Sequence, residues 1–209
     1  MTAVLQFYAE LEDIDPRIWR RLQIRTNQTF WGLHCALQDA FGWEDCHLHS
    51  FFIGGGSARL EFGLPVEGEP GDRTLPSWEQ GLDEICAELP FEMLYVYDFG
   101  DDWRHHVRLE GIFPAERGGS YPRCVGGERA GPPEDVGGPY GYKEFLEALG
   151  NRRHPEHEAM REWIGREFDP EAFDPAAVVF GRPTTRLRRA GLAPPAPAVR
   201  VPSRSRRGN

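Results

Sequence analysis

The chain has 209 residues, 40% of them hydrophobic and 27% charged, with a net charge of −9, enough for one ordinary domain that buries a core without metal or disulfide staples. A mean hydropathy of −0.54, and no apolar run near the roughly 20 residues of a membrane-spanning helix, argue against a membrane association. Glu10, Glu12 and Asp13 lie where a secretory leader would be basic and then apolar, so a cytoplasmic location is expected.

In chain order, Ala3 to Leu11 and Ile18 to Ile24 read as two strands separated by a turn at Asp15-Pro16, an opening hairpin. Thr29 is placed to cap a helix in which Phe30, Leu33, Leu37, Ala40 and Phe41 recur at helical spacing and Gly42 ends the run. His47 to Ile53 reads as a strand, Ala58 to Phe62 as a shorter one, and Ser77 as the cap of a helix running through Leu89. Glu92 to Phe99 and Trp103 to Phe113 form the clearest strand pair, joined by Gly100-Asp101-Asp102. The Gly- and Pro-rich stretch from Pro114 to Pro139 is expected as a long loop, a length that compact domains keep for function. Tyr142, Phe145, Leu146 and Leu149 mark a helical face, and a last helix starts near His154-Pro155 with Met160, Trp163 and Ile164 inward. The expected fold is α+β, a mostly antiparallel sheet with helices packed on it, as a single domain over residues 1–180.

Residues 181–209 hold eight arginines, five prolines and no acid, so they are expected as a disordered tail. Without those arginines, 16 of the 24 basic residues face all 33 acids, and a domain so acidic repels a phosphate backbone. The tail alone has the chemistry for a weak, salt-sensitive nucleic-acid contact. Cys35, Cys46, Cys86 and Cys124 form no C-x-x-C pair, so reduced thiols are expected. Cys124 is the one set in a polar, glycine-rich stretch.

Four ordered segments carry a resemblance. They are Pro16-Arg17-Ile18-Trp19-Arg20-Arg21; Phe41-Gly42-Trp43 with His47-Leu48-His49-Ser50-Phe51; Tyr95-Val96-Tyr97-Asp98-Phe99-Gly100-Asp101-Asp102-Trp103-Arg104-His105; and Pro132-Pro133-Glu134-Asp135-Val136-Gly137-Gly138 with Tyr140-Gly141-Tyr142. Together they resemble the plasmid pRiA ORF-three-like family over about residues 1–180. Its members are often labelled TnpR-like passenger proteins of insertion elements, which implies an association with mobile elements. The motifs are dominated by Asp, Glu and His, whereas strand exchange needs a Ser or Tyr nucleophile among phosphate-clamping arginines. The residues therefore do not point to a recombinase.

The chemistry-bearing residues fall in the same motifs. His47 and His49 are two apart on an expected strand and so leave by one face, as a two-histidine metal grip requires; equally, one can pack in the core while the other is solvated. Asp98, Asp101, Asp102 and His105 gather around the hairpin turn, where aspartates also commonly bond their own backbone. Glu134 and Asp135, stiffened by two prolines, can present carboxylates to a cation or cap the next helix. Trp19-Arg20-Arg21 reads as structural, His34 as a core histidine, and His154 and His157 as residues of a helix start. His47, His49, Asp98, Asp101, Asp102, His105 and Cys124 are expected to line one concavity bordered by the long loop. A divalent metal would draw on His47, His49, Asp98 and His105. The leading functional expectation is a non-catalytic binding or accessory protein with a protein partner. The alternative is a metal-assisted hydrolase or nuclease using the His/Asp cluster.

Overall fold

The structure, a computed structural model, describes residues 3–65, 72–86 and 88–192. β1 (Ala3–Leu11) and β2 (Trp19–Arg25) pair antiparallel, and β7 (Trp103–Pro114) flanks β1 on its other side. β6 (Phe91–Tyr97) joins β7 to β3 (His49–Ile53), then come β4 (Leu60–Gly63) and the two-residue β5 (Leu75–Pro76). β8 (Arg123–Glu128) closes the far side against β2, giving one sheet in the order β5-β4-β3-β6-β7-β1-β2-β8. Every pairing is antiparallel except β4 with β5. The fold is therefore α+β with a single mixed sheet, as the hydrophobic periodicity indicated.

Alternation along the strands builds the core. Leu5, Phe7, Ala9 and Leu11 of β1, with Trp103, Val107 and Leu109 of β7, are buried against one face, while Gln6, Tyr8 and Glu10 take the other. On that second face Tyr8 stacks on Trp19, and Arg21 lies over both rings while pairing with Glu110 at 2.6 Å. Helix α1 (Phe30–Phe41) covers the core face. Thr29 caps its start by accepting from the Gly32 amide, and Gly42, at φ 83°, ends it in the left-handed conformation that glycine adopts without cost. α3 (Gly138–Gly150) adds Tyr142 and Phe145 to the same core, and α4 (His157–Ile164) packs beside it.

Arg20 ties the ends of the sheet to the helices. Its guanidinium, 1% exposed, donates to the carbonyls of Ala40 (2.7 Å), Trp19 (2.8 Å), Glu128 (2.9 Å) and Arg129 (2.8 Å), between the rings of Phe41 and Phe173. Burial pushes its pKa down to about 10. The structural reading of Trp19-Arg20-Arg21 is thereby met.

Five expectations need correction. β3 begins at His49, so His47 lies ahead of the strand. The helix from Ser77 to Leu89 shrinks to α2 (Leu82–Ile85), because the Ser77 amide bonds the Gly63 carbonyl and carries that stretch into the sheet edge. The long loop contains β8, whose Gly127 sits where the Phe173 ring, 2.3 Å from an added Cβ, leaves no room for a side chain. Trp163 is 47% exposed rather than turned inward, touching Phe145 by one edge. The basic segment does not lose structure at residue 181: α5 (Pro183–Arg189) packs on α1 through buried Leu187. The rest of the expected tail, 193–209, lies outside the described residues. Among the described residues no helix is long and apolar enough to cross a membrane.

Candidate functional site

The loop after β8 is stitched to the domain residue by residue. Arg20 holds the Glu128 and Arg129 carbonyls, and the Gly131 α-carbon approaches the Phe41 carbonyl so closely that an added Cβ would sit 2.0 Å from its oxygen. Trp43 Nε1 donates to the Pro132 carbonyl at 3.0 Å, and Glu134 accepts from the Glu44 amide at 2.8 Å. The Gly137 amide donates to Asp101 at 3.0 Å, so the β6–β7 turn and the loop are docked together. This docking brings Glu134 and Asp135 to the end of β6.

His47 stands at the junction. Its Nε2 lies 2.9 Å from Asp135 Oδ1, 3.7 Å from Asp98 Oδ2 and 3.7 Å from Glu134 Oε1. Burial opposes its charged form, but the hydrogen bond to Asp135 and the charges of Asp98, Asp135 and Glu134 outweigh this and raise its pKa. Asp98, at φ 54°, uses Oδ1 to accept from the Gly100 amide, which leaves Oδ2 turned to His47. The Tyr97 hydroxyl donates to Glu134 Oε1 at 2.9 Å and accepts from the Cys46 amide at 3.2 Å. Burial, reinforced by Glu134, holds that phenol well above its usual range, so it stays neutral. Cys46 is likewise pushed up, chiefly by burial and then by the surrounding acids.

Two ligand sets share His47: one with Asp98 and Asp135, the other with Cys46 and Glu134, each with its donor atoms within 4.8 Å of one another. Donors about 2.0–2.3 Å from a common ion at angles of 90–120° stand about 2.9–3.8 Å apart. The His47 distances to Asp135 and Asp98, 2.9 and 3.7 Å, fall in that range.

The other expected residues go elsewhere. His49 is buried beneath α1, stacked on His34 with ring centroids 3.6 Å apart, and its Nε2 meets Ser77 Oγ at 3.3 Å. His34 Nε2 donates to Asp45 at 2.7 Å, so its Nδ1 accepts from the Tyr95 hydroxyl at 2.8 Å. Burial holds both imidazoles well below their ordinary pKa, and His34 is the core histidine its helical position suggested. His105 is fully buried, its Nδ1 facing the carbonyls of Tyr95 and Trp103, and burial takes its pKa down to about 3. Asp101 anchors the loop, and exposed Asp102 closes the turn, its amide on the Asp98 carbonyl. Cys124 lies on edge strand β8, five strands from β3, with its thiol on the Gly126 carbonyl. His154 accepts from the Glu156 amide at 3.2 Å, and His157 bonds the Ala148 carbonyl at 2.8 Å. The four-residue metal set is thus corrected: Asp98 stays with His47, while His49 and His105 are spent inside the core. Cys46 and Tyr97 complete the corner without having been singled out: residues 43–48 have no periodicity to mark Cys46, and Tyr97 reads as one more aromatic of a strand.

A family model described as plasmid pRiA4b ORF-3-like protein matches residues 3–177. The chain belongs to this family. Among plasmid pRiA4b ORF-3-like relatives, the uncharacterized protein y4hQ of Sinorhizobium fredii is 34% identical over 183 residues, 87% of this chain and 89% of that protein. The crystal structure of MM3350 from Methanosarcina mazei, a protein of unknown function, aligns with a TM-score of 0.76 at 40% identity, covering 86% of this chain and 99% of that one. The family's matched stretch contains the whole His47 corner, whereas α5 lies beyond it.

Proposed function

We propose that this plasmid pRiA4b ORF-3-like protein is a non-catalytic binding protein, accessory to mobile elements, whose recognition surface is organised by a divalent cation at His47, Asp98 and Asp135. The observation that carries the reading is the spacing of the two carboxylates about His47 Nε2, 2.9 and 3.7 Å, with Glu134 as a further donor at 3.7 Å. One imidazole with carboxylates suits zinc or manganese better than a soft ion. The mobile-element part is supported by the family's plasmid description alone. A protein partner fits the exposed setting, since the Asp135 side chain is 68% exposed at the edge of an open cleft that it lines with Glu44, Glu134 and Trp163.

Calorimetric titration of tag-free protein with zinc and with manganese tests this. One site per chain is expected, weakened at least about tenfold by His47→Ala and by Asp135→Asn. Equal affinity in both variants and the parent refutes it. A second reading, metal-assisted hydrolysis, is favoured by the same three-donor set, which leaves coordination positions for water and substrate. Metal-dependent cleavage of bis(p-nitrophenyl) phosphate, lost in His47→Ala, would select it.

A further inference from the structure

α5 rests in a groove that belongs to the matched domain, while α5 itself does not. Trp31, Cys35 and Asp39 lie at successive four-residue steps along α1 and so share one face. Leu64 and Trp78 extend that face into an apolar slot. Leu187 of α5 fills the slot, and Trp31 Nε1 donates to the Pro183 carbonyl at 2.9 Å. At the polar end Arg186 meets Asp39 at 2.5 Å and Asp45 at 3.5 Å. Both carboxylates are partly buried there, their side chains 9% and 14% exposed. The groove thus has two demands, one aliphatic side chain and one cation beside it.

The occupant is lightly held by comparison. Of α5 only Leu187 is fully buried, and Thr184, Thr185, Arg188 and Arg189 are exposed. α5 has no place in the sheet, and besides Leu187 and Arg186 it is held by the Gly181 amide, which donates to Asp39 at 2.8 Å, and by partly buried Leu192. A groove with partly buried acids and a small tethered plug is the arrangement of a helix-in-groove site occupied in cis.

We infer that the α1 groove is a docking site for a short basic amphipathic helix of a protein partner, and that α5 is its tethered competitor. The charge complementarity of Asp39 and Asp45 fixes the partner's chemistry: a leucine-sized residue preceded by an arginine, on a helix of two turns. The groove borders the His47 corner, since one cavity is lined by Trp31, Asp45, Leu64 and Arg186 together with Cys46 and His47, but the inference does not rest on a cation there.

The probe is a labelled peptide with the sequence of residues 180–192, titrated into the full chain by fluorescence anisotropy. Wild type is expected to bind it weakly, because the tether keeps α5 at high local concentration. Full-length Leu187→Asp, which dislodges α5, should bind it at least about tenfold more tightly, as removal of a tethered competitor requires. Adding Asp39→Lys should abolish that gain, as should a peptide carrying Arg186→Glu. Hydrogen exchange of the wild type gives an arm free of variants: excess peptide should strip protection from residues 181–192 while α1 stays protected. Equal affinity for wild type and Leu187→Asp, or residues 181–192 that stay protected under saturating peptide, overturns the inference. A concentration-dependent dimer that exchanges α5 between copies would assign the groove to a second copy and overturn its assignment to a separate partner.

Discussion

Replacing Arg20 by Met removes a buried cation that has no carboxylate among its partners, so the loss falls on backbone acceptors. Three of these are distant in sequence, the carbonyls of Ala40, Glu128 and Arg129 at 2.7 to 2.9 Å. Hydrogen bonds to a charged group contribute about 1.5–3 kcal/mol each, a gross loss of roughly 4–9 kcal/mol. Against this, Met carries no charge to desolvate, which offsets several kcal/mol, and its stem still packs between Phe41 and Phe173. The net expectation is destabilisation of about 3 kcal/mol, a fall in Tm of roughly 6–12 °C for a domain of this size. Chemical denaturation at pH 7 measures it. Because the lost bonds hold the start of the loop that delivers Glu134 and Asp135, hydrogen exchange should rise over residues 128–136 more than over β6 and β7. A variant within about 0.5 kcal/mol of wild type, the scale of an ordinary surface substitution, or one with uniform exchange across the domain, would refute the reasoning.

Acid should weaken the fold early. His34, His49 and His105 are depressed by burial, so the unfolded chain binds protons first and stability falls as pH drops below about 6.5. With its folded pKa at about 3, His105 alone accounts for about 2 kcal/mol between pH 6.5 and 5; a urea midpoint flat across that window contradicts this. His47 has the opposite sign. Its raised pKa gives stabilisation that is complete below about 6.5 and lost as pH rises through the folded value. An NMR titration should show its midpoint above 6.5, moving back toward that value in Asp135→Asn; an unmoved midpoint would remove Asp135 as its partner. Gly138→Ala combines φ +70° with a Cβ 2.4 Å from the Asp101 carbonyl oxygen and should cost about 2–4 kcal/mol. Gly56→Ala, at φ +61° with open space around it, should cost about 1 kcal/mol; similar melting losses for the two would show that the close approach is unimportant. Cys124→Ala should leave cation titrations at wild-type values, and any loss of affinity would return β8 to the site.

The sequence made legible what depends on local chemistry. α1 follows from the Thr29 cap, the Gly42 stop and one apolar stripe, and the strands β1, β2, β6 and β7 from alternation and turn residues. What it concealed depends on contacts made at a distance. β8 carries two adjacent glycines and reads as loop, yet Gly127 is what lets the Phe173 ring pack over it. The helix expected from Ser77 failed because tertiary bonding to Gly63 overrode a weak cap. At the site, acids and histidines were found by residue type, but their sorting was set by where β3 begins. Two residues of difference turned His47 to the loop and sent His49 beneath α1. Leu187 was hidden by its arginine neighbours, since a single buried side chain makes no period.

The borders of the sheet bear on how this protein meets others. On one side β5 is only two residues long and ends in Pro76, which has no amide to donate. On the other, β8 breaks register opposite Arg21 and Leu22 and has a 3-10 turn, Pro175–Ala177, packed against it. Among the described residues, neither margin offers a straight run of free backbone groups to an incoming strand. Such margins resist ribbon-like self-association, and they leave side chains and helix faces, rather than added strands, as the means of contact.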